Sequence, residues 1–189
     1  MSAGGISPSK QLFRNINSTT GMAFVVIHHI RKVPTLLPEI VSKCTTMAVQ
    51  IAAPGLRIQP NHVYILPSGQ EITTADSCFS VGSRSKRKGW MNVFTVFLES
   101  LEKSRHPGIA VVLSGLDADG AAALRAFKDK GGVIIAQAPE SSEWSEMPQA
   151  AINTGCVDYV LPPEQIAAQL ERIAQGLKVH RGHPELAMA

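Results

Sequence analysis

Residues 111–124, VVLSGLDADGAAAL, decide the fold of this chain. A short β-branched run ends in a loop with two aspartates, Asp117 and Asp119, and an alanine-rich helical pattern follows directly. An aspartate before a helix is a common N-cap, because its carboxylate accepts hydrogen bonds from unpaired backbone N–H groups. The same position is also the carboxyl end of a buried strand, where α/β proteins place their binding sites. Both interpretations stay open at this point.

Strand and helix patterns alternate along the rest of the chain. Continuous apolar runs are typical of strands covered on both faces, and the alternation predicts an α/β fold with a mostly parallel sheet. Segments 71–74 and 78–81 predict a small hairpin. The predicted strands are 23–27, 63–66, 109–113, 133–136 and 157–161, and the predicted helices are 9–15, 93–101, 120–130 and 163–177.

Composition limits the classes of protein. The 189 residues suffice for one substantial domain, and 44% hydrophobic with 17% charged residues is typical of a globular protein. A net charge of +3 is too small for a nucleic-acid-binding surface. Three cysteines without metal-site spacing indicate free thiols in a reducing compartment. With no membrane span or signal segment apparent, we expect a cytoplasmic location without membrane insertion.

The predicted strand ends carry the residue types of an acyl-transfer site. A nucleophilic serine needs a base to take its proton and an acid to orient that base. Small residues after the serine allow backbone N–H groups to approach a substrate. Each residue alone has an ordinary explanation as a solvated, packed or capping side chain. The candidates are Ser2, Ala3, Gly4 and Gly5 at the start, His28 and His29 after the first strand, and Asp117 and Asp119 after the strand 109–113.

Several segments in order resemble the CheB family, the methylesterase domain of chemotaxis response regulators. The similarity covers nearly all of residues 2–176. VVLSGLDADGAAALRAFKDKGGVIIAQ is similar to the family's strand, glycine-rich acidic loop, helix and next strand. MPQAAINTGCVDYVLPPEQIA and VYILPSG match two further family segments.

The resemblance implies a three-layer α/β/α sandwich with a Ser–His–Asp triad and no metal or organic cofactor. It places the nucleophile at Ser2, the base at His29 and the acid at Asp119, and leaves Asp117 as a loop or capping residue. The substrate and oxyanion region would include Ala3, Gly4, Gly5, His28 and Leu116. The reaction implied is hydrolysis of glutamyl methyl esters on the cytoplasmic helices of chemoreceptors or related signalling proteins, releasing methanol. Glutamine deamidation would use the same acyl chemistry.

Three departures from the family pattern keep alternatives open. The family has a strand immediately before the serine, where this chain has Met1, and the family's Pro-Ser…Asp cluster aligns with Asn92, Val93 and Thr95. These 189 residues contain no receiver-domain pattern, and we expect a receiver domain or a partner acting in trans. The first alternative is a catalytically degenerate domain that binds a signalling partner. The second is a general esterase, which the lack of a Gly-x-Ser-x-Gly elbow disfavours. We expect the catalytic domain to span 1–177, followed by a flexible tail, 178–189.

Overall fold

The computed structural model describes residues 4–29, 35–83, 92–101 and 108–181, with side chains described as far as residue 176. Ser2, Ala3 and the basic run 84–88 lie outside these ranges. The helices are α1 (Ile6–Asn15), α2 (Leu37–Ser42), α3 (Val93–Leu101), α4 (Ala121–Asp129), α5 (Glu146–Asn153) and α6 (Pro163–Arg181). The strands are β1 (Phe24–Val26), β2 (Ala48–Ile51), β3 (His62–Ile65), β4 (Gln70–Ala75), β5 (Cys78–Ser83), β6 (Ile109–Val112), β7 (Val133–Gln137) and β8 (Tyr159–Leu161).

The strands form two parallel sheets and one hairpin. One sheet has the order β1-β3-β2 and the other β6-β7-β8, with all pairs parallel. Strands β4 and β5 pair antiparallel across a two-residue turn, where Asp76 and Ser77 both have positive φ, as a tight hairpin turn requires. The predicted α/β class, the parallel pairing and the hairpin are confirmed.

Side chains that alternate along the strands build two apolar layers. In β3 and the residue after it, Tyr64 and Leu66 join one cluster, while Val63 and Ile65 join the other. This is the period-two alternation of a strand buried on both faces. Helices α3, α4 and α5 contribute to the first cluster, and α1, α2 and α6 to the second. Because both clusters draw strands from both sheets, the domain has the three-layer α/β/α arrangement.

Two helix boundaries differ from the sequence-based prediction by three residues or more, and three elements were missed. Helix α1 begins at Ile6, three residues before the predicted start at Ser9. Helix α6 continues to Arg181, so the predicted end at Leu177 is too early and the predicted tail begins inside the helix. Elements α2, β2 and α5 were not predicted. Within the described part of the chain, no helix is both long and apolar enough to cross a lipid bilayer.

Candidate active site

The candidate site joins the carboxyl ends of two edge strands, one from each parallel sheet. His29 lies three residues after the end of β1, and Asp119 lies in the loop between β6 and α4. Both residues are buried, at 9% and 7% exposure. A buried imidazole and a buried carboxylate each require a polar partner, since an unpaired charge in the interior is costly. Here each is a partner of the other.

The imidazole of His29 lies between two carboxylates. Its Nε2 is hydrogen-bonded to Oδ2 of Asp119 at 2.8 Å. Its Nδ1 lies 2.7 Å from Oδ2 of Asp117. The contact between Nδ1 and Asp117 is short but does not have the geometry of a hydrogen bond. The buried Nδ1 atom therefore has no hydrogen-bond partner among the described residues. We therefore treat the Asp117 contact as an interaction of charge, and the Asp119 contact as the directed bond that fixes the ring.

Asp119 also binds the first turn of helix α3. Its Oδ2 accepts the Phe94 N–H at 2.8 Å, and its Oδ1 accepts the Thr95 N–H at 3.0 Å and the Thr95 hydroxyl at 2.8 Å. Its own helix, α4, begins after Gly120 with no side-chain cap. The capping interpretation is therefore wrong for α4, although the carboxylate satisfies unpaired N–H groups at the start of α3.

Burial and hydrogen bonding act in opposite directions on the three titratable groups. Burial would raise the pKa of Asp119, but the His29 ring and the donors of Phe94 and Thr95 outweigh it and lower that pKa. Burial would likewise lower the pKa of His29, but the carboxylates of Asp117 and Asp119 raise it overall. The pKa of Asp117 is lowered against the effect of its burial, with His29 as the main cause. The arrangement thus favours two carboxylates and a protonated ring.

Asp117 has a second role in the loop. Its Oδ1 accepts the backbone N–H of Asp119 at 3.0 Å, which agrees with the loop role expected from the sequence. The contact of its other oxygen with His29 was not expected. A depression of about 370 Å³ opens beside it, lined by Leu116, Asp117, Ala118 and Glu146. Leu116, which we expected in the substrate region, is 49% exposed there.

Gly4 places the start of the chain against the same strand ends. Its φ is +69°, and a Cβ atom at this position would lie 2.7 Å from the Ser114 hydroxyl oxygen and 2.9 Å from Cβ of Glu143. Only glycine fits so close an approach in this conformation. Gly5 follows as the N-cap of α1, and its carbonyl accepts the Ser9 hydroxyl. The described end of the predicted serine loop therefore lies beside the loop after β6.

His28 lies in the core. It is fully buried, and its Nε2 is hydrogen-bonded to the Leu66 carbonyl at 2.8 Å. A fully buried side chain cannot contact a substrate in this conformation, so the expectation that His28 belongs to the substrate region is not supported. Because His28 directly precedes His29, its hydrogen bond to the Leu66 carbonyl holds the end of β1 against the end of the neighbouring strand β3.

Three residues of the site were not singled out for a site role in the sequence. Thr95, named only as a departure, binds Asp119 directly, and its hydroxyl also accepts the Gly120 N–H at 2.9 Å. The Ser114 hydroxyl donates to the Trp144 carbonyl and accepts the Trp144 N–H, and these two hydrogen bonds fix the loop that carries Glu143. Serine directly after a buried strand was the available signal for Ser114. Thr95 and Glu143 carried no local signal, because only tertiary packing brings them to the strand ends.

The described residues thus form a three-layer α/β/α domain with a buried, carboxylate-paired histidine at its strand ends. The chain belongs to the CheB methylesterase family, whose model matches residues 1–170. It is similar in structure to the Thermotoga maritima CheB methylesterase catalytic domain, with a TM-score of 0.82 and 26% sequence identity. That similarity covers 91% of this chain and 94% of the Thermotoga chain.

Relatives by sequence carry related names. The protein-glutamate methylesterase/protein-glutamine glutaminase 1 of Syntrophus aciditrophicus is 27% identical over 177 residues, covering 92% of this chain and 50% of that protein. A Leptospira interrogans protein is 28% identical over 179 residues, covering 93% of this chain and 92% of its own length. The chain thus spans about half of the first relative and nearly all of the second.

Proposed function

We propose that this chain is a protein-glutamate methylesterase that uses Ser2 as nucleophile, His29 as base and Asp119 as the acid that orients the base. The observation that carries the proposal is the unequal hydrogen bonding of the two nitrogens of the His29 ring. Its Nε2 is engaged by Asp119 at 2.8 Å, whereas its buried Nδ1 makes no directed hydrogen bond among the described residues and faces the carboxylate of Asp117 at 2.7 Å. A ring nitrogen that no directed hydrogen bond holds is available to a reacting group once that carboxylate moves.

The first half of the reaction forms an acyl-enzyme. As the hydroxyl oxygen of Ser2 bonds to the ester carbonyl carbon, Nδ1 of His29 takes the hydroxyl proton. Asp119 stabilises the imidazolium that results. Collapse of the tetrahedral intermediate breaks the bond to the methoxy oxygen, and His29 returns the proton to that oxygen, so that methanol leaves. We assign the oxyanion contacts to the backbone around Ala3 and Leu116.

The second half regenerates the enzyme. His29 takes a proton from water, and the hydroxide oxygen bonds to the acyl carbon. The bond between that carbon and the Ser2 oxygen then breaks, and the proton passes to Ser2. The product is a glutamate side chain. An amide substrate would follow the same route with ammonia as the leaving group, which makes glutamine deamidation the natural second reaction.

The substrate we propose is a methylated cytoplasmic helix of a chemoreceptor or a related signalling protein. The depression beside Asp117 has an exposed apolar residue, Leu116, at its rim, and Trp144 in the neighbouring loop is 40% exposed. Such a surface suits a helix that presents a glutamyl ester between apolar neighbours. We place the reaction in the cytoplasm, with the domain that closes with α6 as the catalytic domain and a receiver domain or another signalling partner as its regulator.

The test is methanol release from a synthetic receptor-helix peptide with glutamate γ-methyl esters. We expect Ser2→Ala to abolish release, whereas Ser7→Ala, an exposed serine of α1, should leave it unchanged. A serine-reactive probe should label the unaltered chain and Ser7→Ala but not Ser2→Ala. Equal release by Ser2→Ala would remove the nucleophile from the proposal. No release and no labelling in any variant would favour the binding module.

A further inference from the structure

Asp117 lies where the base must receive a proton. Its Oδ2 is 2.7 Å from Nδ1 of His29, the only ring nitrogen not already held by Asp119. A neutral imidazole has one N–H, which Nε2 donates to the carboxylate of Asp119. The lone pair of Nδ1 then faces an anionic oxygen at contact distance. This arrangement is favourable only when Nδ1 also carries a proton, that is, when His29 is an imidazolium.

We propose that Asp117 restrains the base, holding His29 in its protonated form until the carboxylate moves away and the Nδ1 proton passes to water, which leaves the Nδ1 lone pair free for the nucleophile. The inference rests on the proposed function and names a regulator of the same site. Asp117 acts through His29, so it is a positioning residue and not a catalytic one.

The surroundings of Asp117 suit this role. Its side chain is 23% exposed, compared with 1% for Asp119, and among the described residues it accepts one directed hydrogen bond, from the Asp119 N–H to Oδ1. Asp119 instead accepts four hydrogen bonds, from the His29 ring and from the first turn of α3. Asp117 is thus the carboxylate that can move, and Asp119 is the fixed one. Because Asp117 also lines the depression, a substrate seated there contacts the residue that restrains the base.

Among the described residues, the titratable groups that face His29 are Asp117 and Asp119. Both raise its pKa against the effect of burial. A base works best when its pKa lies near the working pH, so a second carboxylate beyond the orienting one makes His29 a poorer base at neutral pH. Removing the charge of Asp117 should therefore release the base without disturbing Asp119.

The experiment compares Asp117→Asn with Asp129→Asn. The asparagine at 117 loses the charge, while its amide oxygen can still accept the Asp119 N–H. Asp129 is an exposed carboxylate at the end of α4, so its substitution makes the same change in net charge away from the site. The titration of the His29 ring is followed by NMR, with His29→Gln identifying the signal. Methanol release from the esterified receptor-helix peptide is measured across pH 5–9.

We expect Asp117→Asn to lower the titration midpoint of His29 by about one pH unit or more. The acidic limb of the rate profile should move with it, so that release below the midpoint rises roughly tenfold. Asp129→Asn should change neither quantity. Asp117→Ser is the second variant, for use if the asparagine variant folds poorly. Its hydroxyl oxygen can accept the Asp119 N–H, and it should lower the His29 midpoint in the same way.

Two results would overturn the inference. A His29 midpoint that does not move in either variant at 117 would show that Asp117 does not hold the proton. A lowered midpoint with slower release at every pH would show that Asp117 assists the base. A lowered midpoint in a chain that releases no methanol even above that midpoint would instead count against the proposed function, while supporting the effect of Asp117 on His29.

Discussion

Thr95 connects the acid of the candidate triad to helix α3. Its N–H and its hydroxyl both donate to Oδ1 of Asp119, and the hydroxyl oxygen accepts the Gly120 N–H. Valine has the same shape but no hydroxyl. We expect Thr95→Val to lower the free energy of unfolding by about 1–2 kcal/mol, because it leaves Gly120 N–H without this acceptor. Since Asp119 also loses a donor, methanol release should fall roughly tenfold.

The matched variant for Thr95 is serine, which keeps the hydroxyl and removes the methyl group. Urea unfolding and methanol release should both stay close to those of the unaltered chain in Thr95→Ser. If valine and serine are equally active, the Thr95 hydroxyl does not position Asp119, and the backbone N–H groups of α3 suffice.

At the scale of elements, the junction of the β6–α4 loop with α3 depends on Gly120. Its φ is +93°, and a Cβ atom there would lie 2.2 Å from a ring carbon of Phe94. Gly120→Ala therefore adds a clash to left-handed strain, and we expect a loss of about 3 kcal/mol in the free energy of unfolding. Release should fall as well, because the Phe94 N–H donates to Asp119.

Gly155 provides the control for Gly120. Its φ is +68°, but no atom lies within 4 Å of its Cβ position. Gly155→Ala should lower the free energy of unfolding by about 1 kcal/mol, from backbone strain alone, and should leave methanol release unchanged. If the two alanine variants lose the same free energy of unfolding, the Phe94 ring moves aside without cost.

Sequence patterns identified the elements that are buried and regular. The run 133–136 (VIIA) is apolar throughout because β7 is the central strand of its sheet, and α3 was predicted with its observed bounds. Strand β2 was missed because it is an edge strand with mostly exposed side chains. Helix α2 has only six residues and gives little periodicity. Short or exposed elements depend on tertiary contacts that a local pattern does not contain.

The same limit applies to the site. Strand ends indicated the pairs His28/His29 and Asp117/Asp119, since the carboxyl ends of parallel strands are where α/β domains place their sites. The family resemblance then selected His29 and Asp119 from these pairs. The partner of Asp119 on α3 is 24 residues away in sequence, and only packing brings it there. Asp117 was expected in the loop, but its distance to Nδ1 of His29 depends on how β1 and β6 lie relative to each other. Residue types can be read directly from the sequence, whereas the distances between loops depend on the tertiary structure.

At the scale of the whole molecule, the site depends on how the two parallel sheets are held together. His29 follows an edge strand of one sheet and Asp119 follows an edge strand of the other. Both apolar clusters include strands of both sheets, so the core fixes the relative position of these edges. The bond between His29 and Asp119 is a polar contact across the same junction. Protonation at the site is therefore coupled to the stability of the domain.

The direction of this coupling follows from the shifted pKa values. The pKa of His29 is raised, so its contribution to stability is full below the unfolded value of about 6.5 and is lost as pH rises through the folded value. The pKa values of Asp117 and Asp119 are lowered, so their contribution is present above about 3.9 and is lost as pH falls through the folded values. The three groups together stabilise the fold most between about pH 4 and 6.5.

We therefore expect urea unfolding to give a larger free energy from these groups at pH 5.5 than at pH 8.5. His29→Gln should reduce the difference between the two pH values, because glutamine does not titrate. His62→Gln is the matched control, since the described contacts of His62 are with the Pro60 carbonyl and the Tyr64 ring and not with a carboxylate. If His29→Gln and His62→Gln alter the pH dependence equally, the proton on His29 does not help to hold the two sheets together, and the junction rests on the apolar clusters alone.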